Sequence, residues 1–159
     1  MPFAEAVNLV KYFCLMIKVH FPEHSFRIKN ENGKEVIFDN CRKQWVPLTP
    51  EEWVRQNFLQ YLQKVKGYPS SLIAVEREIA LGELKKRFDI LVFKNDKPWM
   101  IVECKEMKVE LSENVIKQIL NYNITLKAEY LIITNGSSTF ALHLQHDKFD
   151  WLTEIPGYS

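Results

Sequence analysis

Two apolar runs separated by a short polar break constrain this chain more than any other feature. Residues 86–94 (KRFDILVFK) and 98–104 (PWMIVEC) are dense in β-branched and aromatic side chains, and Asn95-Asp96-Lys97 between them is turn chemistry. Such a pair reads as a hairpin. A third strand-like run, 72–79 (LIAVEREI), precedes it, with Gly82 as the break, so the three segments form a meander. Asp89 and Glu103 interrupt otherwise apolar strands, and Lys105 follows directly. Charge placed inside such runs calls for a reason.

Helical patterns flank the meander. Thr49-Pro50-Glu51-Glu52 is a helix start, with a Thr cap, Pro at the first helical position and Glu three residues after the cap. That helix runs to about Lys66, stops at Gly67, and is expected to bury Val54, Phe58, Leu62 and Val65. A second amphipathic helix over 112–126 turns Val115, Ile116, Ile119, Leu120 and Ile124 inward. It leads to strand 129–134, an Asn135-Gly136 turn and strand 138–144. The strand–helix–strand step from 98 to 134 predicts a crossover between parallel strands. Upstream, residues 25–38 read as a hairpin turning at Asn32-Gly33, and residues 3–19 as a helix with Phe3, Val7, Val10, Cys14 and Ile17 on one face. The class is α/β, a mixed sheet flanked by helices.

Composition supports one domain. The 159 residues are 47% hydrophobic and 26% charged, enough for a core without a disulfide or metal staple. Cys14, Cys41 and Cys104 form neither a CxxC pair nor a zinc spacing, and an odd count suits a reducing compartment. Neither a long charge-free apolar run nor a cleavable leader is apparent, so the expectation is a cytoplasmic protein without a membrane partner. Basic and acidic residues number 21 and 20, for a net charge of +1. Residues 1–80 carry 11 basic and 9 acidic, the remainder 10 and 11. An even spread disfavours a polyanion-coating protein and confines any nucleic-acid site to a local patch.

Register decides what the acidic residues can do. On a strand Glu103 and Lys105 share a face while Cys104 points away. A three-residue loop over 95–97 pairs Lys94 with Pro98, and Asp89 then sits opposite Glu103, with Cβ atoms roughly 4.5–5.5 Å apart. A two-residue loop puts Val102 opposite Asp89 instead. Hydrophobic patterning favours the first register, with Phe88, Ile90 and Val92 on one face with Val102 and Cys104. Two facing carboxylates repel, and burial raises the pKa of at least one. A divalent cation resolves the conflict, since two carboxylates, the main-chain carbonyl after Glu103 and waters fill an Mg²⁺ shell. With Lys105 orienting or deprotonating a water, this is phosphodiester hydrolysis in outline.

The spacing Asp-x13-Glu-x-Lys across a hairpin resembles the PD-(D/E)xK nuclease superfamily, although Phe88 stands where its name places Pro. The resemblance extends to the N-terminal nuclease domain of type I restriction enzyme R subunits. The matching runs are FRIKNENGK (26–34), LTPEEWVRQ (48–56), GYPSSLIAVE (67–76), KKRFDILVF (85–93), IVECKE (101–106), QILNY (118–122) and YLIITNG (130–136). It implies a restriction-endonuclease-like core: helix, three-strand meander, helix and strand, with an added strand and an N-terminal hairpin. It also implies a DNA endonuclease of restriction-modification type using Mg²⁺, or Mn²⁺ in its place. Asp89, Glu103 and Glu52 become the metal ligands, and Lys105 and Gln118 join them as catalytic residues. Gln118 and Tyr122 match the family's Gln-x-x-x-Tyr helix element, which makes Tyr122 an expected DNA contact. The helicase motor and specificity machinery have no counterpart here, so a partner chain is expected to supply them, and a homodimer is compatible with the pattern. Residues 21–159 form the nuclease-like domain and residues 1–20 an extension. Met16, at the edge of the match, is a candidate translation start that an intact mass including residues 1–15 would exclude.

Plainer roles compete at several positions. Glu52 completes a capping box with Thr49, worth about 1 kcal/mol. Glu103 and Lys105 form a same-face ion pair on the plainer view, and Gln118 and Tyr122 are an exposed residue and a core ring with its hydroxyl at the rim. Glu76 and Glu78 are expected to decorate an exposed strand face. Arg55 pairs with Glu52 or contacts phosphate. Lys85, Lys86 and Arg87 form a solvated strand entrance or, beside a metal, a cluster with Lys108 that contacts a DNA backbone. His20, His24, His143 and His146 read as surface residues. The alternative to a nuclease is a catalytically silent nucleic-acid-binding or partner-docking module of the same fold.

Overall fold

The computed structural model describes residues 14–146 and 148–159. Asn32 and Gly33 both adopt positive φ, the backbone that a two-residue hairpin turn demands, and they join β1 (Ile28–Glu31) to β2 (Lys34–Asp39). A third strand not anticipated from the sequence, β3 (Gln44–Pro47), pairs with β2 and completes a small antiparallel sheet. Helix α1 (Pro50–Lys64) follows at once. The Thr49 hydroxyl accepts the Glu52 amide at 3.1 Å, and Gly67 at φ +78° turns the chain away past the helix end. Val54, Phe58 and Leu62 are buried as expected, but Val65 is 53% exposed because the helix has already ended there.

Six strands make the main sheet, in sequential order from β4 (Ile73–Leu81) and β5 (Leu84–Lys94) through β6 (Lys97–Cys104) and β7 (Tyr130–Thr134) to β8 (Thr139–Gln145) and β9 (Lys148–Leu152). Only β6 and β7 run parallel, and helix α2 (Glu113–Asn123) lies between them in sequence. The expected crossover is therefore present. This helix stops three residues short of the expected 126, and Val115 and Ile124 are half-buried rather than fully inward. Strand β9 was not anticipated.

Side chains on the two sheet faces build two cores. One gathers Phe58, Leu59 and Leu62 of α1 with Ile90, Val92, Val102 and Cys104; the other joins Ile116, Ile119 and Leu120 of α2 to Leu91, Ile101 and Leu131. Phe88 departs from the expected face and packs in the second core, because β5 changes parity between Phe88 and Ile90. Most of the helix expected over 3–19 lies outside the described residues. Within them, helix ends by Leu15, and Ile17 instead donates its amide to the Thr139 carbonyl at 2.8 Å and enters the first core.

Candidate functional site

The β5–β6 turn holds two residues, not three: Lys94 pairs with Lys97 around Asn95 and Asp96, both at positive φ. A one-residue bulge then corrects the register. Phe93 faces Pro98 and Val92 faces Met100, so Trp99 is the extra residue on β6. Beyond it the pairing is Ile90 with Val102, and Asp89 and Glu103 are the next residues along the two strands. Turn and bulge together reach the register that a three-residue loop would have given.

Where the ladder ends, the Asp89 side chain takes over, its Oδ2 accepting the Cys104 amide at 2.9 Å. The Lys105 amide donates to the Thr134 carbonyl on β7 at 2.8 Å, and its Nζ stands 3.5 Å from Glu103 Oε1. Glu103 is half-buried, with 15% of its side chain exposed. Burial, with Asp89 adding like charge, pushes its carboxyl up to about 7, and Lys105 only partly offsets this. Burial and Asp89 also raise Glu51. The thiol of Cys104 points into the first core, and burial holds it protonated.

Arg55 of α1 is the hub. Its Nη2 lies 2.7 Å from Asp89 Oδ1, 2.8 Å from Glu76 and 3.3 Å from Glu51, while Nη1 pairs with Glu52. Burial opposes the charge on Arg55, but Asp89 and Glu52 outweigh it and keep the guanidinium firmly protonated. Glu52 is turned toward this guanidinium and the N-terminal sheet. Arg42 and Gln56 also donate to it, and both in turn hold Asp39, which is fully buried. The carboxylate of Glu52 makes no return bond to Thr49, whose amide donates to Pro47, so half of the capping box forms. Glu51, one residue earlier, is the helix carboxylate that Asp89 and Glu103 feel electrostatically.

Glu76 is not the exposed decoration expected of it. It sits at φ +54° between two regular pairs, Val75 with Ile90 and Arg77 with Phe88, and so lies across from Asp89. That backbone state costs a residue such as Glu on the order of 1–3 kcal/mol and recurs at functional sites. Its carboxylate bridges Arg55 and Arg87, the latter at 3.0 Å. Of the basic cluster, Lys85 is exposed and pairs loosely with Glu78, whereas Lys86 is 6% exposed and not a solvated residue. Gln118 and Tyr122 are both exposed on α2, so Tyr122 is not a core ring. Lys108 is exposed. His143 is less superficial than expected: it stacks on Tyr130 with centroids 4.8 Å apart.

Asp89, Glu103, Lys105 and Arg55 thus converge, and Glu51 and Glu76 complete the acidic rim. Sequence reasoning missed the last two, although Glu51 and Arg55 stand at i, i+4 on one helix face, which was a usable signal. Among the described residues no three carboxylate, imidazole or thiol side chains already surround one metal-sized point. None of the helices there is long and apolar enough to cross a membrane.

Residues 50–156 match the family model described as Type I restriction enzyme R protein N terminus (HSDR_N). No curated protein and no solved structure matches the chain. The match takes in α1, the whole meander, α2 and β7 to β9, and therefore every residue of the Arg55-centred cluster. Spanning about two thirds of the sequence, it shows that this chain belongs to the family of type I restriction enzyme R protein N-terminal domains.

Proposed function

We propose that the protein is a Mg²⁺-dependent phosphodiesterase acting on DNA, with Asp89 and Glu103 as the carboxylates that hold the cation. The observation that carries this reading is the placement of the two on neighbouring strands, with Glu103 largely shielded from solvent, raised to about 7 and only 3.5 Å from the Lys105 ammonium. An excess of buried negative charge is what a divalent cation relieves. The donor set fits Mg²⁺, which keeps several waters and takes one or two carboxylates rather than a complete protein cage. Asp89, Glu103 and the Cys104 carbonyl would hold it, with Glu51 next in reach. Glu52, held by Arg42, Arg55 and Gln56, supports the site by orienting Arg55.

When bound, the cation neutralises charge on the phosphate under attack. The remaining work belongs to the chain. Lys105 is fixed by its backbone bond to Thr134 and directs an ammonium to the same face as Glu103, where it orients the attacking water or meets a phosphate oxygen. Arg55 keeps Asp89 aimed by one short hydrogen bond, and the Cys104 amide fixes its other oxygen. Arg87 and Lys85 lie at the open end of β5 for backbone phosphates. Gln118 stands on the exposed face of α2, and Lys108 follows β6, both as further substrate contacts.

A second reading, a docking or nucleic-acid-binding module without catalysis, draws on Arg55, which already supplies positive charge to Asp89, Glu51 and Glu76. Calorimetric titration with Mg²⁺ and Mn²⁺ separates the two. Saturable binding that disappears in Asp89→Asn supports the phosphodiesterase, and no binding by folded wild-type protein supports the silent module.

A further inference from the structure

A row of alternating charges runs from the small sheet to the carboxylates of the candidate site. Asp39, the last residue of β2, is fully buried and accepts four donors. Its Oδ1 takes the Cys41 and Arg42 amides at 2.7 and 2.9 Å, which folds the β2–β3 loop back over the carboxylate. Its Oδ2 takes Arg42 Nε and Gln56 Nε2. Arg42, held in this way, donates from Nη2 to Glu52; Glu52 pairs with Arg55 Nη1, and Arg55 Nη2 reaches Asp89 at 2.7 Å. None of these five charged side chains is more than 16% exposed. Asp39 and Arg42 precede residues 50–156, the stretch that matches the family model.

The fork of Arg55 is divided between two acids. A guanidinium is suited to giving both arms to one carboxylate. Glu52 is also the most buried of the four carboxylates around Arg55, and so the one that gains most from a second bond. What stands in the way is Glu52 Oε1. It already accepts Arg42 Nη2 and Gln56 Nε2, one donor for each lone pair. Without Arg42, that oxygen has room for Nη2, and Glu52 has lost half of its positive charge.

We propose that Arg42 is a positioning residue for the metal site. By occupying Glu52 it keeps one arm of Arg55 on Asp89, and so keeps that carboxylate aimed at the cation. The Cys104 amide holds the other Asp89 oxygen at 2.9 Å, so loss of Arg55 leaves a single restraint about which the carboxylate pivots. The small sheet is thereby a working part of the site. This inference rests on the phosphodiesterase reading and deepens it. It also has a distinctive signature, because Mg²⁺ demands near-ideal octahedral geometry whereas Ca²⁺ accepts flexible coordination. A misaimed Asp89 penalises Mg²⁺ more than Ca²⁺, while a change in local charge acts on both ions alike.

The test is calorimetric titration of the full chain with Mg²⁺ and with Ca²⁺, alongside thermal unfolding. Arg42→Met should raise the ratio of Mg²⁺ to Ca²⁺ dissociation constants roughly tenfold over wild type. Arg42→Lys keeps the charge but lacks the fork that spans Asp39 and Glu52. It should raise the ratio by less, and it decides the question if Arg42→Met does not fold. Adding Glu52→Gln to either variant should return the ratio toward the wild-type value, because a neutral amide no longer draws the second arm of Arg55. A merely structural arginine would lower the unfolding temperature and leave the ratio unchanged. An unchanged ratio in the folded Arg42 variants, or a raised one that Glu52→Gln does not reverse, overturns the proposal and leaves the phosphodiesterase reading standing. Failure of wild-type protein to bind either ion overturns both.

Discussion

Arg55 Nη2 stands 2.7 Å from Asp89 Oδ1 across 34 positions of sequence, joining helix α1 to β5, the middle strand of the meander. The same guanidinium holds Glu51, Glu52 and Glu76, so it balances a patch of carboxylates that would otherwise repel. Arg55→Met strips those groups of their shared cation. The expected cost is about 3–5 kcal/mol. For a chain of this size that lowers the melting temperature by roughly 10 °C, measurable by calorimetry or circular dichroism. A variant as stable as wild type would show that the network contributes no net stability.

Glu103 sets a pH dependence whose sign can be worked out. Its folded pKa of about 7 lies above the ordinary 4.5, so between those values the folded protein keeps a proton that the unfolded chain has lost. Stability from this group is therefore present at low pH and declines as pH rises from about 4.5 to 7, by on the order of 2–3 kcal/mol. The groups that act on it are Asp89 and Glu51, which raise it, and Lys105, which opposes them. In Glu103→Gln this decline should vanish, and the variant should exceed wild type in stability at pH 8. Urea unfolding at pH 5, 6, 7 and 8 measures both, and parallel curves for the two proteins would contradict the shift.

Lys86 supplies the opposite slope in a different window. Burial lowers its pKa from 10.5 to about 8, against the pull of Glu103, so the folded state releases a proton before the unfolded chain does. Stability from this group rises with pH from about 8 to 10.5. Lys86→Met should flatten that rise, as unfolding curves at pH 7.5 and 9.5 would record.

The β5–β6 turn offers a local test. Asn95 and Asp96 occupy φ +51° and +60°, and Asn-Gly is the pair best suited to such a turn. Asp96→Gly should stabilise the protein by about 0.5–1 kcal/mol without altering the register behind the bulge. An unchanged or lowered midpoint in denaturant would count against this.

These tests fall on features that differ in how legible they are in the sequence. Helix α1 announced itself because Thr49, Pro50 and Glu52 are a cap, a first-turn residue and a capping partner at fixed offsets. The Asn32-Gly33 turn was equally plain. The placement of Asp89 level with Glu103 followed from hydrophobic patterning, yet the path to it did not. A two-residue turn with an extra Trp99 and a three-residue loop yield the same register beyond the turn, and no propensity separates them. Strands β3 and β9 escaped notice because four- and five-residue segments such as QWVP and KFDWL are too short for period-two alternation to stand out. At the site, Glu51 and Glu52 differ by about 100° of helix rotation, and no local pattern records that Glu51 is the one whose charge reaches Glu103. The positive φ of Glu76 and the burial of Lys86 depend on tertiary packing that no local pattern records.

The central claim is that Asp89, Glu103 and Lys105 form a metal-dependent centre for cutting DNA. Its most direct test is a cleavage panel of linear, circular, single-stranded, branched and modified DNA in Mg²⁺, with and without chelator. The panel is run alongside folded Asp89→Ala and Lys105→Ala variants. Cleavage of at least one substrate by wild-type protein, stopped by chelator and lost in both variants, is the predicted result. Undiminished cleavage by Asp89→Ala, or none by wild type on any substrate, would contradict it.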